Sequence, residues 1–123
     1  MPLDILIVDD SAAVRKILNR ALVQADLPIG KVVEASDGRD ALEKLGTQKF
    51  GLILTDVNMP NMDGIELLGA IKACDALKSI PVVMVTTEGS QERVMQALKL
   101  GAAGYLRKPF TADQVKDKLL GIV

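Results

Sequence analysis

The chain of 123 residues has no histidine, no tryptophan, one cysteine, one tyrosine and two phenylalanines, and each shortage removes a class of chemistry. Without His, and with Cys74 as the only thiol, a metal site here has to be built from oxygen ligands. A lone thiol cannot close an internal disulfide, and the N-terminus lacks the charged-then-apolar pattern of a secretory signal, so a reducing cytoplasm is the expected setting. No apolar run approaches membrane-spanning length. The 15 basic and 16 acidic residues leave a net charge of −1 with no basic run, which gives no electrostatic reason to expect a nucleic-acid or membrane partner. What is present suits one domain, long enough to bury roughly two thirds of the surface its unfolded chain would expose.

Taken in order, Ile5–Val8 is a continuous apolar run that stops on two carboxylates, Asp9 and Asp10. Ser11 is placed to cap a helix whose apolar positions Val14, Ile17, Leu18, Ala21, Leu22 and Ala25 recur at helical spacing until Pro28 and Gly30 break it. Lys31–Ala35 reads as a second strand, followed by the turn Ser36-Asp37-Gly38 and a short helix carrying Ala41, Leu42 and Leu45. Leu52–Thr55 is a third strand that ends on Asp56, and after the turn residues Asn58 to Gly64 a helix buries Ile65, Leu68 and Ile71. Pro81–Val85 is the fourth strand, ending on Thr86 and Thr87; Ser90 then starts a helix with Val94, Ala97 and Leu98 inward, closed by Gly101. The fifth strand, Gly104–Arg107, runs into Lys108-Pro109, and Thr111 with Gln114 makes a capping box for a last helix carrying Val115, Leu119 and Ile122.

Five strands alternating with five helices, with strands apolar on both faces, predict an α/β fold: a doubly wound parallel sheet covered on both sides by right-handed crossovers. In such a sheet all strands point their C-terminal ends to one edge, where ligands bind. Asp9, Asp10, Asp56, Thr86 and Lys108 all fall at that edge. Unit charges about 4 Å apart repel by roughly 4 kcal/mol at an effective dielectric near 20, so three carboxylates gathered there need a counter-charge. Oxygen ligands select a hard divalent ion, and few protein ligands with room for water and phosphate favour Mg²⁺ over Ca²⁺. With Lys108 as a second positive charge and Thr86 as a hydroxyl donor, the set suits phosphoryl transfer with Asp56 as the attacking carboxylate.

Four stretches carry a resemblance that spans nearly the whole chain: Ile7-Val8-Asp9-Asp10-Ser11, Thr55-Asp56-Val57-Asn58-Met59-Pro60-Asn61-Met62-Asp63-Gly64, Met84-Val85-Thr86 and Gly104-Tyr105-Leu106-Arg107-Lys108-Pro109-Phe110. Together they resemble the receiver domain of two-component response regulators, and most closely the single-domain chemotaxis type. Such domains are standard instances of the flavodoxin-like strand order 2-1-3-4-5, so that order comes from the resemblance and not from the pattern of elements.

The resemblance implies that Asp56 accepts a phosphoryl group from the phosphohistidine of a sensor histidine kinase and later loses it by self-dephosphorylation. Asp9 and Asp10 would hold Mg²⁺, the first mainly through water, with Asp56 and the backbone carbonyl of Asn58. Lys108 would pair with phosphoryl oxygens, and Thr86 would hydrogen-bond one of them. Thr86 would then move and Tyr105 turn inward, changing the face of helix 4, strand 5 and helix 5, where a downstream protein target binds. A cis Lys108–Pro109 bond is implied as well. Residues 1–123 would be a monomeric receiver with no output domain, acting in chemotaxis or motility, although a piece of a longer regulator or a stand-alone phosphorelay intermediate fits the same motifs.

On the residues alone, blander readings stand beside these. Thr86 and Thr87 fit ordinary strand residues, Tyr105 fits plain packing as well as a switch, and Asp9-Asp10 fits a favourable charge at a helix start. Thr87 stands where the family more often has Ala, Val57 where close chemotaxis relatives have Trp, and Ser90-Gln91 where they have a lysine pair; Lys118, Asn58 and Glu88 agree with the chemotaxis pattern. Those departures bear on the partner more than on the chemistry. Two enzymes of similar fold fit poorly. An aspartyl-phosphate hydrolase usually carries a second Asp two residues after the nucleophile, where this chain has Asn58. A flavodoxin-like carrier needs a phosphate loop where Asp9-Asp10 stands, and aromatics to sandwich a flavin. With no His, the chain cannot itself relay a phosphoryl group through histidine.

Overall fold

The computed structural model describes residues 3–86 and 91–122. Five strands alternate with five helices: β1 Leu3–Val8, α1 Ala12–Gln24, β2 Ile29–Ala35, α2 Gly38–Thr47, β3 Leu52–Asp56, α3 Gly64–Lys72, β4 Val82–Thr86, α4 Gln91–Lys99, β5 Gly104–Arg107 and α5 Ala112–Leu120. The strands form one parallel sheet in the order β2-β1-β3-β4-β5. Order reverses between β1 and β3, so the C-terminal ends of those two strands flank the crevice where this class of sheet binds ligands.

The period-2 alternation of each central strand divides the core in two. Leu6, Val8, Ile53 and Met84 face one side, where Ala41 and Leu45 of α2, Leu68 and Ile71 of α3 and Ala97 of α4 cover them. Ile5, Ile7, Leu52, Leu54, Val83 and Val85 face the other, under Leu18 and Leu22 of α1 and Val115 and Leu119 of α5. Burial on both faces explains the unbroken apolar runs of β1, β3 and β4. At the edge the expectation fails, since in β5 only Leu106 is buried.

Ser11 caps α1 by accepting from the Val14 amide, and Thr111 and Gln114 form the expected capping box. The first helix stops sooner than its apolar spacing suggests, with Ala25 as C-cap and Asp26 in the left-handed region at φ 56°. Neither expected breaker ends the helix: Pro28 lies three residues past the C-cap, and Gly30 lies inside β2. Ile17 was expected inward yet is 58% exposed, because it sits roughly a quarter-turn from the centre of the buried stripe at about 100° per residue. Leu98 is 38% exposed for a different reason: a groove of about 150 Å³ opens between α4 and β5, and Leu98 borders it. Helix α4 ends at Lys99, and Gly101, at φ 106°, turns the chain back so that the Ala102 amide donates to the carbonyl of Ala97.

Candidate functional site

Strand β1 delivers Asp9 to the crevice one residue past its last sheet position, with the Asp9 amide still donating to Ala35 at 3.1 Å. Its side chain is almost fully buried, and its two oxygens have separate partners. Oδ1 accepts from the Ser11 amide at 2.9 Å and Oδ2 lies 3.1 Å from Lys108 Nζ. Asp10 follows on the exposed side. Asp56 ends β3, where its Oδ1 accepts from the Val57 amide at 2.8 Å and lies 3.4 Å from Lys108 Nζ. One carboxylate oxygen each from Asp9, Asp10 and Asp56 can be chosen so that all lie within 4.8 Å of one another. Burial pushes the Asp56 carboxyl above the usual carboxylate range; the Asp9 charge adds to this, and the Lys108 ammonium opposes it. Three carboxylates against one ammonium leave an oxygen-lined site short of positive charge, and a hard divalent cation fits that donor set.

The remaining expected residues distribute around this centre. Thr86 is buried at the end of β4, one position beyond Val85, the register partner of Asp56, and its carbonyl accepts from the Lys108 amide at 2.6 Å. The bond from Lys108 to Pro109 is cis. Asn58 is exposed in the loop after β3. Tyr105 points outward, 42% exposed, with Lys118 Nζ 5.2 Å from its ring centroid, and it borders the α4/β5 groove with Thr86, Val94, Met95 and Leu98. Thr87, Glu88 and Ser90 lie outside the described residues. Val57 is fully buried on the α2/α3 side of the core.

Sequence reasoning treated several neighbours only as turn or helix residues. Gly64 is one: a Cβ there would stand 2.1 Å from the Asp56 carbonyl oxygen, and the Gly64 amide donates to Val57 at 2.9 Å. The loop that follows Asp56 therefore folds back onto the backbone of Asp56 itself, which only glycine permits. Asp63 caps α3 in a capping box with Glu66 and is ion-paired to Arg93 of α4. Asn61, at φ 65°, donates to Asp37 at 2.8 Å, tying the same loop to the start of α2. Asp63, three residues before Glu66 and ahead of an apolar run, carries a readable capping signature. Nothing local announces the partners of Arg93 or the contact at Gly64.

A doubly wound 2-1-3-4-5 sheet with an acidic crevice and one lysine at its switch point is a receiver-type architecture. Residues 5–120 match the response regulator receiver domain, and the chain belongs to that family. The chemotaxis protein CheY of Pseudomonas aeruginosa is 44% identical over 115 residues, which cover 94% of this chain and 91% of that protein. Chemotaxis protein CheY-3 of Vibrio cholerae is also 44% identical over 115 residues, covering 94% and 87%. Among solved structures, the chemotaxis response regulator CheY4 of Vibrio cholerae superposes with a TM-score of 0.88 at 35% identity, covering 100% of both chains. Among the described residues no helix is long and apolar enough to cross a membrane.

Proposed function

We propose that this receiver domain takes a phosphoryl group onto Asp56 from the phosphohistidine of a sensor histidine kinase, and that it serves chemotaxis or motility control. The single observation that carries the chemistry is the convergence of Asp9, Asp10 and Asp56 with Lys108, whose ammonium lies within 3.1 Å of Asp9 and 3.4 Å of Asp56. The chemotaxis assignment rests on relatives of that name at 44% identity that are nearly the same length as this chain.

In the reaction the ionised Asp56 carboxylate attacks phosphorus, a P–O bond forms, and the P–N bond to the donor imidazole breaks with its electron pair staying on nitrogen. Burial of Asp56 strips water from the attacking oxygen, and the Val57 amide holds the other rotational freedom of the carboxylate in check. Lys108 shifts its pairing toward the arriving phosphoryl oxygens, and Thr86, at the end of the neighbouring strand, donates its hydroxyl to one of them; the support is the Lys108–Asp56 contact and the position of Thr86 one residue past the register partner of Asp56. Asp9, Asp10, Asp56 and the backbone carbonyl of Asn58 would hold Mg²⁺. When bound, that ion supplies positive charge to offset the charge gathered on the phosphoryl oxygens. Hydrolysis of the aspartyl phosphate by water returns the carboxylate and resets the domain.

Output follows from the same geometry. Thr86 lines the α4/β5 groove that Tyr105 borders, so a displacement of the threonine toward the phosphoryl group opens room for the ring and reshapes the α4/β5/α5 face where a protein target docks. We place this exchange in a reducing cytoplasm, beside the kinase. Incubation with acetyl phosphate and Mg²⁺, followed by intact-mass spectrometry, tests the chemistry. One added phosphoryl group is expected on the wild type and none on Asp56→Asn; uptake by the variant would defeat the assignment.

A further inference from the structure

Asp10 is the exposed member of the acidic trio, and among the described residues no hydrogen bond or ion pair holds its carboxylate. Asp9 differs, since both of its oxygens are oriented by partners. The direction in which Asp10 presents its side chain is therefore inherited from its backbone. On the C-terminal side that backbone is fixed by Ser11, the cap of α1. On the N-terminal side lies the peptide unit joining Asp9 to Asp10, and its carbonyl accepts a hydrogen bond from Arg15 Nη1. Arg15 projects from α1 with its side chain only 17% exposed, and its Nε is anchored 2.8 Å from Glu34 Oε1 on β2. One guanidinium thus ties three elements together at the peptide between two of the three carboxylates.

We propose that Arg15, braced by Glu34, is a positioning residue that sets the orientation of Asp10 for cation binding. This rests on the reading of the acidic crevice as a Mg²⁺ site. Two roles for Arg15 predict opposite signs. As a mere charge near the crevice it repels a cation, so its removal would tighten Mg²⁺ binding. As a holder of the peptide unit it keeps a ligand in place, so its removal loosens binding despite the lost repulsion. The fork geometry also matters: a guanidinium reaches the carbonyl and Glu34 at once through separate N–H groups fixed in one plane, whereas a lysine ammonium has no such fork.

Mg²⁺ affinity can be read from how the melting midpoint rises with Mg²⁺ concentration, each variant being referred to its own metal-free midpoint. We expect Arg15→Met to weaken Mg²⁺ binding by about tenfold. Arg15→Lys should recover part of the loss, and Glu34→Gln should weaken binding in the same direction with the guanidinium still present. A purely structural role would lower the metal-free midpoint and leave the Mg²⁺ dependence unchanged, which overturns the proposal, as does unchanged or tighter binding in Arg15→Met. Should Arg15→Met fail to fold, Arg15→Lys decides on the same readout, since it keeps the charge and removes only the fork: weaker Mg²⁺ binding supports the proposal and unchanged binding overturns it. If the wild type shows no Mg²⁺ dependence at all, the reading of the crevice fails, an outcome distinct from a wild type that binds and a variant that binds equally well.

Discussion

Asp56 is kept partly out of water beside another acid, and this has a cost that pH can expose. Its folded-state pKa lies above the ordinary value near 3.8, so its contribution favours folding below that value and is lost as pH rises through the raised folded-state pKa. Asn at this position is neutral at every pH. In the absence of divalent ions Asp56→Asn should therefore melt at a higher temperature than the wild type at neutral pH, with the gap closing as pH falls toward 3.8; melts across that range check the sign. Gly64 is constrained by space: a methyl group 2.1 Å from the Asp56 carbonyl oxygen has to displace either the loop or the end of β3. Gly64→Ala should destabilise by about 1–3 kcal/mol in denaturant unfolding, as overpacking does, and should also slow labelling by acetyl phosphate because the displaced backbone belongs to Asp56, the proposed phosphoacceptor. At this scale the legible residues were those that end apolar runs, Asp9, Asp10 and Asp56. Gly64 and Arg15 were not, because their roles depend on atoms distant in space and not on their neighbours in sequence.

Helix α3 starts at the site, and its stability is shared with α4. Asp63 accepts from the Glu66 amide at 2.8 Å while Glu66 reaches back to the Asp63 amide at 3.2 Å, and the remaining Asp63 oxygen pairs with Arg93 of α4. Loss of an N-cap costs about 1 kcal/mol. The ion pair, partly exposed, adds about 0.2–1 kcal/mol. Asp63→Ala should thus destabilise by about 1–2 kcal/mol and Arg93→Ala by less, with the double variant falling short of the sum, a non-additivity measurable by denaturant unfolding. The capping boxes show where reading of elements succeeds: Thr111 with Gln114 could be recognised because the interaction spans three residues of one segment. Ile17 and Leu98 show where it stops, since helical periodicity places a residue near a buried stripe without saying how far the neighbouring elements extend beneath it.

For the whole molecule, a cation held in the acidic crevice, as proposed, would couple metal binding to folding. A cation that binds only the folded chain stabilises it by mass action, by about 2.7 kcal/mol at a concentration one hundred times the dissociation constant. Mg²⁺ should raise the melting midpoint of the wild type, and Asp10→Asn should flatten that response; a midpoint indifferent to millimolar Mg²⁺ would remove the cation from the account. Strand order reverses between β1 and β3 and the helices that follow them diverge to opposite faces, which opens the crevice where these charges gather.

The alternation of strand and helix, the apolar runs buried on both faces and the acids that end them were determined by the sequence alone, because periodicity, capping and turn formation are local interactions over a few residues. The strand order came from resemblance to a family and not from that pattern. Only the tertiary structure decided that β5 is an edge with one buried residue, that a groove beside it leaves Leu98 and Tyr105 exposed, and that Val57 is core. It alone brought Arg15 to the Asp9 carbonyl and Arg93 to Asp63. Those outcomes depend on which elements pack side by side, and that is settled by the mutual burial of surfaces far apart in the chain, which no local spacing encodes.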